Sequence, residues 1–113
     1  MKYYHNPRCS KSSIALKLLN EKGINPKVIL YLKEELNSKD LENIISKLGI
    51  SPLDLIRKNE EVYKIHFKGK TLSDNEYIEI MINNPKLIER PIFVNGNKVV
   101  IGRPPEKVLE LLK

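Results

Sequence analysis

The 113-residue sequence has little cysteine and little histidine: one cysteine, Cys9, and two histidines, His5 and His66. A single cysteine excludes a disulfide within the chain, and these three residues cannot complete a structural zinc site, so we expect no bound metal. No apolar run is long enough to span a bilayer, so we expect no membrane association. The N-terminus lacks the apolar core of a secretory signal, which together with the lone cysteine favours a reducing cytoplasm.

Positive charge is abundant, with 20 Lys and Arg against 14 Asp and Glu and a net charge of +6. Such a balance makes nucleic-acid binding a first hypothesis. Acidic residues interrupt the basic ones, however, and no helix carries clustered Lys and Arg, so we expect no nucleic-acid partner. Only 4 of the 20 basic residues are arginine, and each lies in a short polar or proline-containing context. They are Arg8, Arg57, Arg90 and Arg103.

The first third of the chain has the pattern of a β-α-β unit. Tyr3 and Tyr4 begin a short strand, and a helix follows from about Ser10 to Lys22, where Gly23 ends it. The continuous apolar run 28–32 predicts a strand buried on both faces of a sheet. The apolar face of the helix is predicted to contain Ile14, Ala15, Leu18 and Leu19.

The rest of the chain predicts helices and then a β-hairpin. Ser38 is expected to cap a helix that ends at Gly49, Ser51-Pro52 opens a short helix, and Ser73–Glu76 is a capping box. The turn Asn95-Gly96 between apolar runs predicts a hairpin, followed by a last helix. The order β-α-β, helices, β-β-α predicts an α/β, thioredoxin-like fold with a four-stranded mixed sheet. We expect one domain, 1–113, with a helical insertion at about 36–87 between the second and third strands.

Cys9 lies between the first strand and the first helix, where a thiolate is stabilised. The first helical N–H groups have no intrahelical acceptors, and the helix dipole adds partial positive charge. We therefore expect a nucleophilic Cys9 beside an oxyanion-binding turn that includes Ser10 and Lys11. A buried, inert cysteine is the alternative, which the polar neighbours disfavour. Ser12 takes the fourth place of a Cys-x-x-Cys spacing, so an oxidised Cys9 must be resolved by an external thiol.

Three arginines stand at the ends of predicted elements. Arg90 precedes Pro91, where thioredoxin-like folds commonly have a cis proline; Arg103 joins the last strand to the last helix; Arg57 ends a short helix of the insertion. If they converge on Cys9, their planar forks form a clamp for a tetrahedral oxyanion. The alternative for each arginine is a surface salt bridge, with Glu89 and Glu106 as nearby partners. For His5 two roles are equally open: it orients the thiolate, or it only packs or forms hydrogen bonds within the loop.

The segment 5–12, His-Asn-Pro-Arg-Cys-Ser-Lys-Ser, resembles the active-site loop of the glutaredoxin-coupled arsenate reductases, the ArsC family. The resemblance continues in order through 29–32, 55–59, 89–92 and 101–109. It implies that Cys9 attacks arsenate and that His5 and Ser12 tune its thiolate. It also implies that three arginines hold the oxyanion: Arg57, Arg90 and Arg103.

The same resemblance names the co-reactants. Glutathione is the expected co-substrate and glutaredoxin the expected protein partner, with no bound cofactor, and arsenite is the released product. Separately, we expect the chain to be a monomer. One position departs from the family pattern, since Ser13 stands where many members have arginine. Two alternatives stay open: a thiol reductase of this fold with a different substrate, and an Spx-like regulator that binds RNA polymerase. The Spx-type proteins usually carry Cys-x-x-Cys, in which Ser12 replaces the second cysteine here.

Overall fold

The computed structural model describes residues 1–34 and 36–112. They form two compact units, the first from 1–34 with 90–112 and the second from Leu36–Glu89. The first unit contains strands β1 (Lys2–Tyr4), β2 (Lys27–Ile29), β3 (Ile92–Asn95) and β4 (Lys98–Ile101), helix α1 (Ser10–Glu21) and a 3₁₀ segment, Pro105–Leu112. The second contains helices α2 (Ser38–Leu48), α3 (Glu61–His66) and α4 (Asp74–Asn83), with 3₁₀ turns at Pro52–Leu55 and Pro85–Leu87.

The four strands of the first unit form one mixed sheet in the order β2-β1-β3-β4. Strand β1 is parallel to β2 and antiparallel to β3, and β3 is antiparallel to β4. The predicted thioredoxin-like α/β fold, with helices inserted between the second and third strands, is confirmed. The register pairs Tyr4 with Ile92 and Ile92 with Ile101. One end of the sheet therefore gathers the exit of β1, the entry to β3 and the exit of β4.

The core of the first unit lies between the sheet and the two helical segments. Tyr3, Ala15, Leu19, Phe93 and Val108 are all fully buried and contact one another. Burying side chains of this kind is the main favourable contribution to folding. The cluster holds the start of α1 against β1, which fixes the position of the loop between them.

The predicted apolar face of α1 is partly wrong. Ala15 and Leu19 are fully buried, but Ile14 is 48% exposed. The third buried position of the helix is Ser12, with a relative exposure of 0%. Positions 12, 15 and 19 follow the i, i+3, i+7 spacing of a helix face, so a polar residue takes a place that an apolar pattern could not reveal.

The prediction for the run 28–32 is also wrong. Strand β2 has only three residues and stands at the edge of the sheet, where Val28 is 39% exposed. After it the chain turns, because the carbonyl of Leu30 accepts hydrogen bonds from the N–H groups of Lys33 and Glu34. An edge strand has a neighbour on one side only, so its apolar residues cannot be buried as in a central strand.

Local signals located most other elements to within a residue. Gly23, with φ +78°, follows α1, and the capping box of Ser73 and Glu76 starts α4. The cap of α2 is Asn37, whose side chain accepts from Asp40 N–H, and not the predicted Ser38. The sequence does not predict helix α3, because its six residues are too few to show a helical period. Among the described residues no helix has both the length and the apolar character needed to cross a bilayer.

Candidate active site around Cys9

Cys9 is the N-cap residue of α1 and has extended backbone angles, φ −97° and ψ 118°. Its side chain makes no capping bond, and the first turn contains no acidic residue. Helices α2 and α4 differ, since Asn37 and Ser73 cap them and carboxylates lie in their first turns. The partial positive charge at the N-terminus of α1 is therefore available to stabilise the Cys9 thiolate or a bound anion.

Backbone hydrogen bonds fold the loop in front of α1. The carbonyl of Asn6 accepts from Cys9 N–H at 3.0 Å, and its side-chain oxygen accepts from Arg8 N–H, also at 3.0 Å. The carbonyl of Cys9 accepts from Ser13 N–H at 3.1 Å, which is the first bond of the helix. Asparagine commonly nucleates such a turn, and here it sets the backbone of the cysteine.

Ser12 and His5 meet directly below this loop. The hydroxyl oxygen of Ser12 lies 2.6 Å from Nδ1 of His5 and accepts from Asn6 N–H at 3.1 Å. Both residues are buried, and burial lowers the pKa of His5 below its ordinary 6.5. The neutral imidazole is thus favoured, and the Ser12 hydroxyl can donate its proton to Nδ1.

Sequence reasoning missed Tyr3 as a member of this network. Its hydroxyl donates to the main-chain carbonyl of Ser12, and its ring centroid lies 5.6 Å from that of His5. Tyr3 is fully buried, and this desolvation raises its pKa to about 12. The available signal was its position on the strand that leads into the loop, but two adjacent tyrosines gave no indication of which one faced the helix.

The structure brings Arg103 to Cys9. The guanidinium Nη2 lies 3.9 Å from Cys9 Sγ, although the two residues are 94 positions apart, and Nε donates to the carbonyl of Arg90 at 2.8 Å. The pairing of Ile92 with Ile101 places Arg90 and Arg103 on neighbouring strand ends. Arg103 therefore lies beside Cys9 and is held against the backbone of Arg90, while the oxyanion clamp itself stays a prediction.

Arg90 itself is half-buried and contributes a further donor. Its Nε is buried and has no hydrogen-bond acceptor within residues 1–34 and 36–112. Both the Arg90-Pro91 bond, predicted from the fold, and the Arg103-Pro104 bond are cis. Gly102 allows this close packing, because a Cβ there would lie 2.7 Å from the Pro91 side chain.

The remaining sequence-predicted residues are placed differently. Ser10 and Lys11 lie on the first turn of α1 with exposed side chains. Arg57 belongs to the second unit, where Nη1 pairs with Glu60 at 2.6 Å and Nε with Glu89 at 3.6 Å. The salt-bridge alternative thus describes Arg57, and its contribution to a clamp at Cys9 stays a prediction. In the described part of the chain no group of His, Cys, Asp and Glu is arranged for a metal.

The pairing of Arg57 with Glu89 follows from local backbone contacts in the second unit. Ile56 and Ile88 form an isolated antiparallel bridge, and Arg57 N–H donates to the Leu87 carbonyl at 2.7 Å. Glu89 therefore lies beside Arg57, although the sequence suggested it as a neighbour of Arg90.

A cysteine at a helix N-terminus with an arginine fork beside it matches a known family. The family model of the ArsC family matches residues 4–111. This chain belongs to the ArsC family. It is 46% identical to the uncharacterized protein YfgD of Escherichia coli strain K12, over 99% of this chain and 96% of that protein.

Two further ArsC-family relatives carry functional names. An arsenate reductase of Haemophilus influenzae is 45% identical, over 96% of both chains. The solved structure of an arsenate reductase from Vibrio cholerae superimposes with a TM-score of 0.90 at 42% identity, and 97% of each chain is covered. The similarity covers nearly the whole chain, including the stretches that contain Cys9 and the three predicted arginines.

Proposed function

We propose that this ArsC-family protein is an arsenate reductase in which Cys9 is the nucleophile. One observation carries the proposal: Cys9 Sγ lies at the uncapped N-terminus of α1, 3.9 Å from the Arg103 guanidinium. A thiolate there is stabilised from two directions, and a tetrahedral anion finds donors on both sides. The names of the Haemophilus and Vibrio relatives support the choice of arsenate as the anion.

Each predicted oxyanion-binding residue has a place in this proposal. Backbone N–H groups at Ser10 and Lys11 receive arsenate oxygens, as helix N-termini receive phosphate. The Arg103 fork and the spare Nε donor of Arg90 hold the remaining oxygens. Arg57 adds a third guanidinium fork. Its ion-pair partners, Glu60 and Glu89, compete with the substrate for this fork.

The reduction requires electrons that the chain cannot supply. Cys9 forms a sulfur–arsenic(V) bond as one arsenate oxygen leaves as water, and the glutathione thiol then displaces a second oxygen, also as water, and forms a second sulfur–arsenic(V) bond. Two electrons reduce arsenic(V) to arsenic(III) when the glutathione thiol and a glutaredoxin thiol leave together as a mixed disulfide. Water then hydrolyses the remaining sulfur–arsenic(III) bond, which releases arsenite and returns a proton to the Cys9 thiol. We place this reaction in the reducing cytoplasm, with glutathione as co-substrate, glutaredoxin as partner and no bound cofactor.

Turnover of purified protein with arsenate, glutathione and glutaredoxin tests the proposal through the arsenite formed. Cys9→Ala is expected to abolish turnover, because no other side chain in the chain is a thiol. Arg90→Lys and Arg103→Lys are expected to lower kcat/KM by about a hundredfold, since a lysine cannot form a forked contact. Arg8→Lys, which keeps the charge of an exposed side chain, is the matched control and retains nearly full activity.

Arsenite formation by Cys9→Ala at the wild-type rate would contradict the proposal. Thiol oxidation that depends on an oxyanion other than arsenate would instead indicate a reductase of this fold with a different substrate. Co-purification with RNA polymerase, in the absence of any arsenate-dependent thiol oxidation, would favour the Spx-like regulator instead of a reductase.

A further inference from the structure

Tyr3 connects the buried core of the first unit to the Cys9 loop. Its ring is fully buried and packs with Phe93, at a centroid distance of 6.4 Å. Its hydroxyl leaves this apolar cluster and donates to the main-chain carbonyl of Ser12. A buried tyrosine hydroxyl needs an acceptor, and here the acceptor belongs to the first turn of the helix that Cys9 caps.

Ser12 is held from two sides by these contacts. Tyr3 fixes its carbonyl, while its hydroxyl bonds to Asn6 N–H and His5 Nδ1. Asn6 in turn accepts the N–H of Cys9. A continuous set of hydrogen bonds therefore runs from the core through Ser12 and Asn6 to the backbone of the cysteine.

We propose that Tyr3 is a positioning residue for Cys9 and that it acts through Ser12. The inference rests on the proposed role of Cys9 as a nucleophile. By anchoring the Ser12 carbonyl to the core, the Tyr3 hydroxyl keeps the first turn of α1 and the Ser12 hydroxyl in one arrangement. The Cys9 thiolate then faces fixed N–H dipoles, which stabilise it without having to reorient.

The protonation state of Tyr3 suits this role. Burial is the largest cause that raises its pKa to about 12, and the nearby Cys9 charge acts in the same direction. The hydroxyl thus remains a donor at every pH at which the thiol is used. A change in the pH profile of a Tyr3 variant then originates in Cys9 or in the neighbouring His5, and not in the titration of Tyr3.

The test compares Tyr3→Phe with Tyr77→Phe. Phenylalanine keeps the buried ring in both cases and removes only the hydroxyl. Tyr77 is a matched control because it is also buried and its hydroxyl also donates to a backbone carbonyl, that of Lys70 at 3.3 Å, within the second unit. The measurements are the rate of Cys9 alkylation by iodoacetamide from pH 5 to 9 and the thermal unfolding midpoint.

Tyr3→Phe is expected to slow alkylation at pH 7 by about three- to tenfold, the range that one net hydrogen bond provides. The midpoint of its rate–pH curve is expected to move to higher pH. Tyr77→Phe is expected to leave both unchanged, although it lowers the unfolding midpoint. Equal alkylation by Tyr3→Phe and wild type would overturn the proposal, and so would equal slowing in both variants.

A double variant tests whether the effect passes through the Ser12 hydroxyl, since Ser12→Ala removes the hydroxyl and keeps the main-chain carbonyl that Tyr3 contacts. In a Ser12→Ala background, Tyr3→Phe is expected to change alkylation less than twofold, because coupled residues are not additive. An undiminished effect would overturn the part of the proposal in which Tyr3 holds the Ser12 hydroxyl in place. Alkylation needs no arsenate, so these outcomes decide the role of Tyr3 even if the protein fails to reduce arsenate. If it does reduce arsenate, Tyr3→Phe is expected to lower kcat with little change in KM.

Discussion

Arg103 divides its guanidinium between two acceptors, the carbonyl of Arg90 and the sulfur of Cys9. Nε is bound to the carbonyl of Arg90, and Nη2 approaches Cys9 Sγ. The first contact fixes the plane of the fork, and the second directs its charge at the sulfur. A lysine in this place has one charged atom and could not serve both acceptors. This geometry is the reason to expect a large effect of Arg103→Lys on turnover.

His5 shows how burial changes a titrating group. Its ring is buried beside Ser12, and burial lowers its pKa in the folded protein below 6.5, the value expected in the unfolded chain. Between these two pKa values the unfolded chain binds more protons than the folded one. The free energy of unfolding is therefore expected to decrease as the pH is lowered from about 7 to 5, and to gain nothing from His5 above pH 7.

Denaturant unfolding at pH 7, 6 and 5 measures this effect. The slope that His5 contributes cannot exceed about 1.4 kcal/mol per pH unit, the value for one proton. His5→Gln is expected to flatten the profile between pH 7 and 5, whereas His66→Gln, which changes an exposed side chain, is expected to keep it. Identical profiles for His5→Gln and wild type would rule out this account.

At the scale of elements, α1 is asymmetric in its caps. Its C-terminus is closed by a Schellman motif, in which Ile24 N–H donates to Leu19 and Gly23 N–H to Asn20. Its N-terminus has no side-chain cap and holds the cysteine instead. A capping side chain typically stabilises a helix by about 1 kcal/mol. The helix thus forgoes that stabilisation at the end where the proposed chemistry needs unoccupied N–H groups.

The end of β4 meets the start of β3 through Gly102. A Cβ at this position would lie 2.7 Å from Pro91 Cγ and 3.0 Å from Val108 Cγ1. Both neighbours are buried and cannot easily move aside. Gly102→Ala is therefore expected to cost about 1–3 kcal/mol of unfolding free energy through overpacking, and to slow Cys9 alkylation because it displaces Arg103.

Gly96→Ala provides the control for that prediction. Gly96 lies in the hairpin turn with φ +61° and no atom near its missing Cβ, so alanine there costs conformational energy without a clash. We expect the free energy of unfolding to fall by about 1 kcal/mol and the alkylation rate of Cys9 to stay unchanged. Urea unfolding and iodoacetamide kinetics compare the two variants. An alkylation rate for Gly102→Ala equal to that of Gly96→Ala would contradict the proposed link to Arg103.

At the scale of the whole molecule, the basic residues behind the net charge of +6 fall into two groups. Every lysine in the described part of the chain is exposed, whereas three of the four arginines are half-buried: Arg57, Arg90 and Arg103. The lysines thus form a solvated surface, and the half-buried arginines occupy defined contacts. Net charge suggested a polymer as the partner, whereas the contact of Arg103 with Cys9 supports the small anion proposed above.

The presence of one thiol in the whole chain predicts its oxidation chemistry. Incubation with oxidised glutathione is expected to add one glutathione per chain, at Cys9, and the adduct is expected to persist until an external thiol is supplied. Intact-mass measurement before and after addition of a dithiol follows both steps. Cys9→Ser is expected to take up none. Spontaneous loss of the adduct without added thiol would contradict the need for an external donor.

Local sequence patterns by themselves determined the order of elements, most helix ends, the hairpin and the position of Cys9 before a helix. Caps, glycines and periodicity act over a few residues, so one stretch of chain is enough to specify them. The need for an external thiol also follows from the sequence by itself, because the chain has one cysteine.

The tertiary structure alone decided which distant groups meet. The contact of Arg103 with Cys9, the hydroxyl of Tyr3 on Ser12 and the ion pair of Arg57 with Glu89 all depend on register or on how elements pack. The same is true of the exposure of Val28, which follows from the edge position of β2. Register and strand order are fixed by burial summed over the whole sheet, and no single strand encodes that sum.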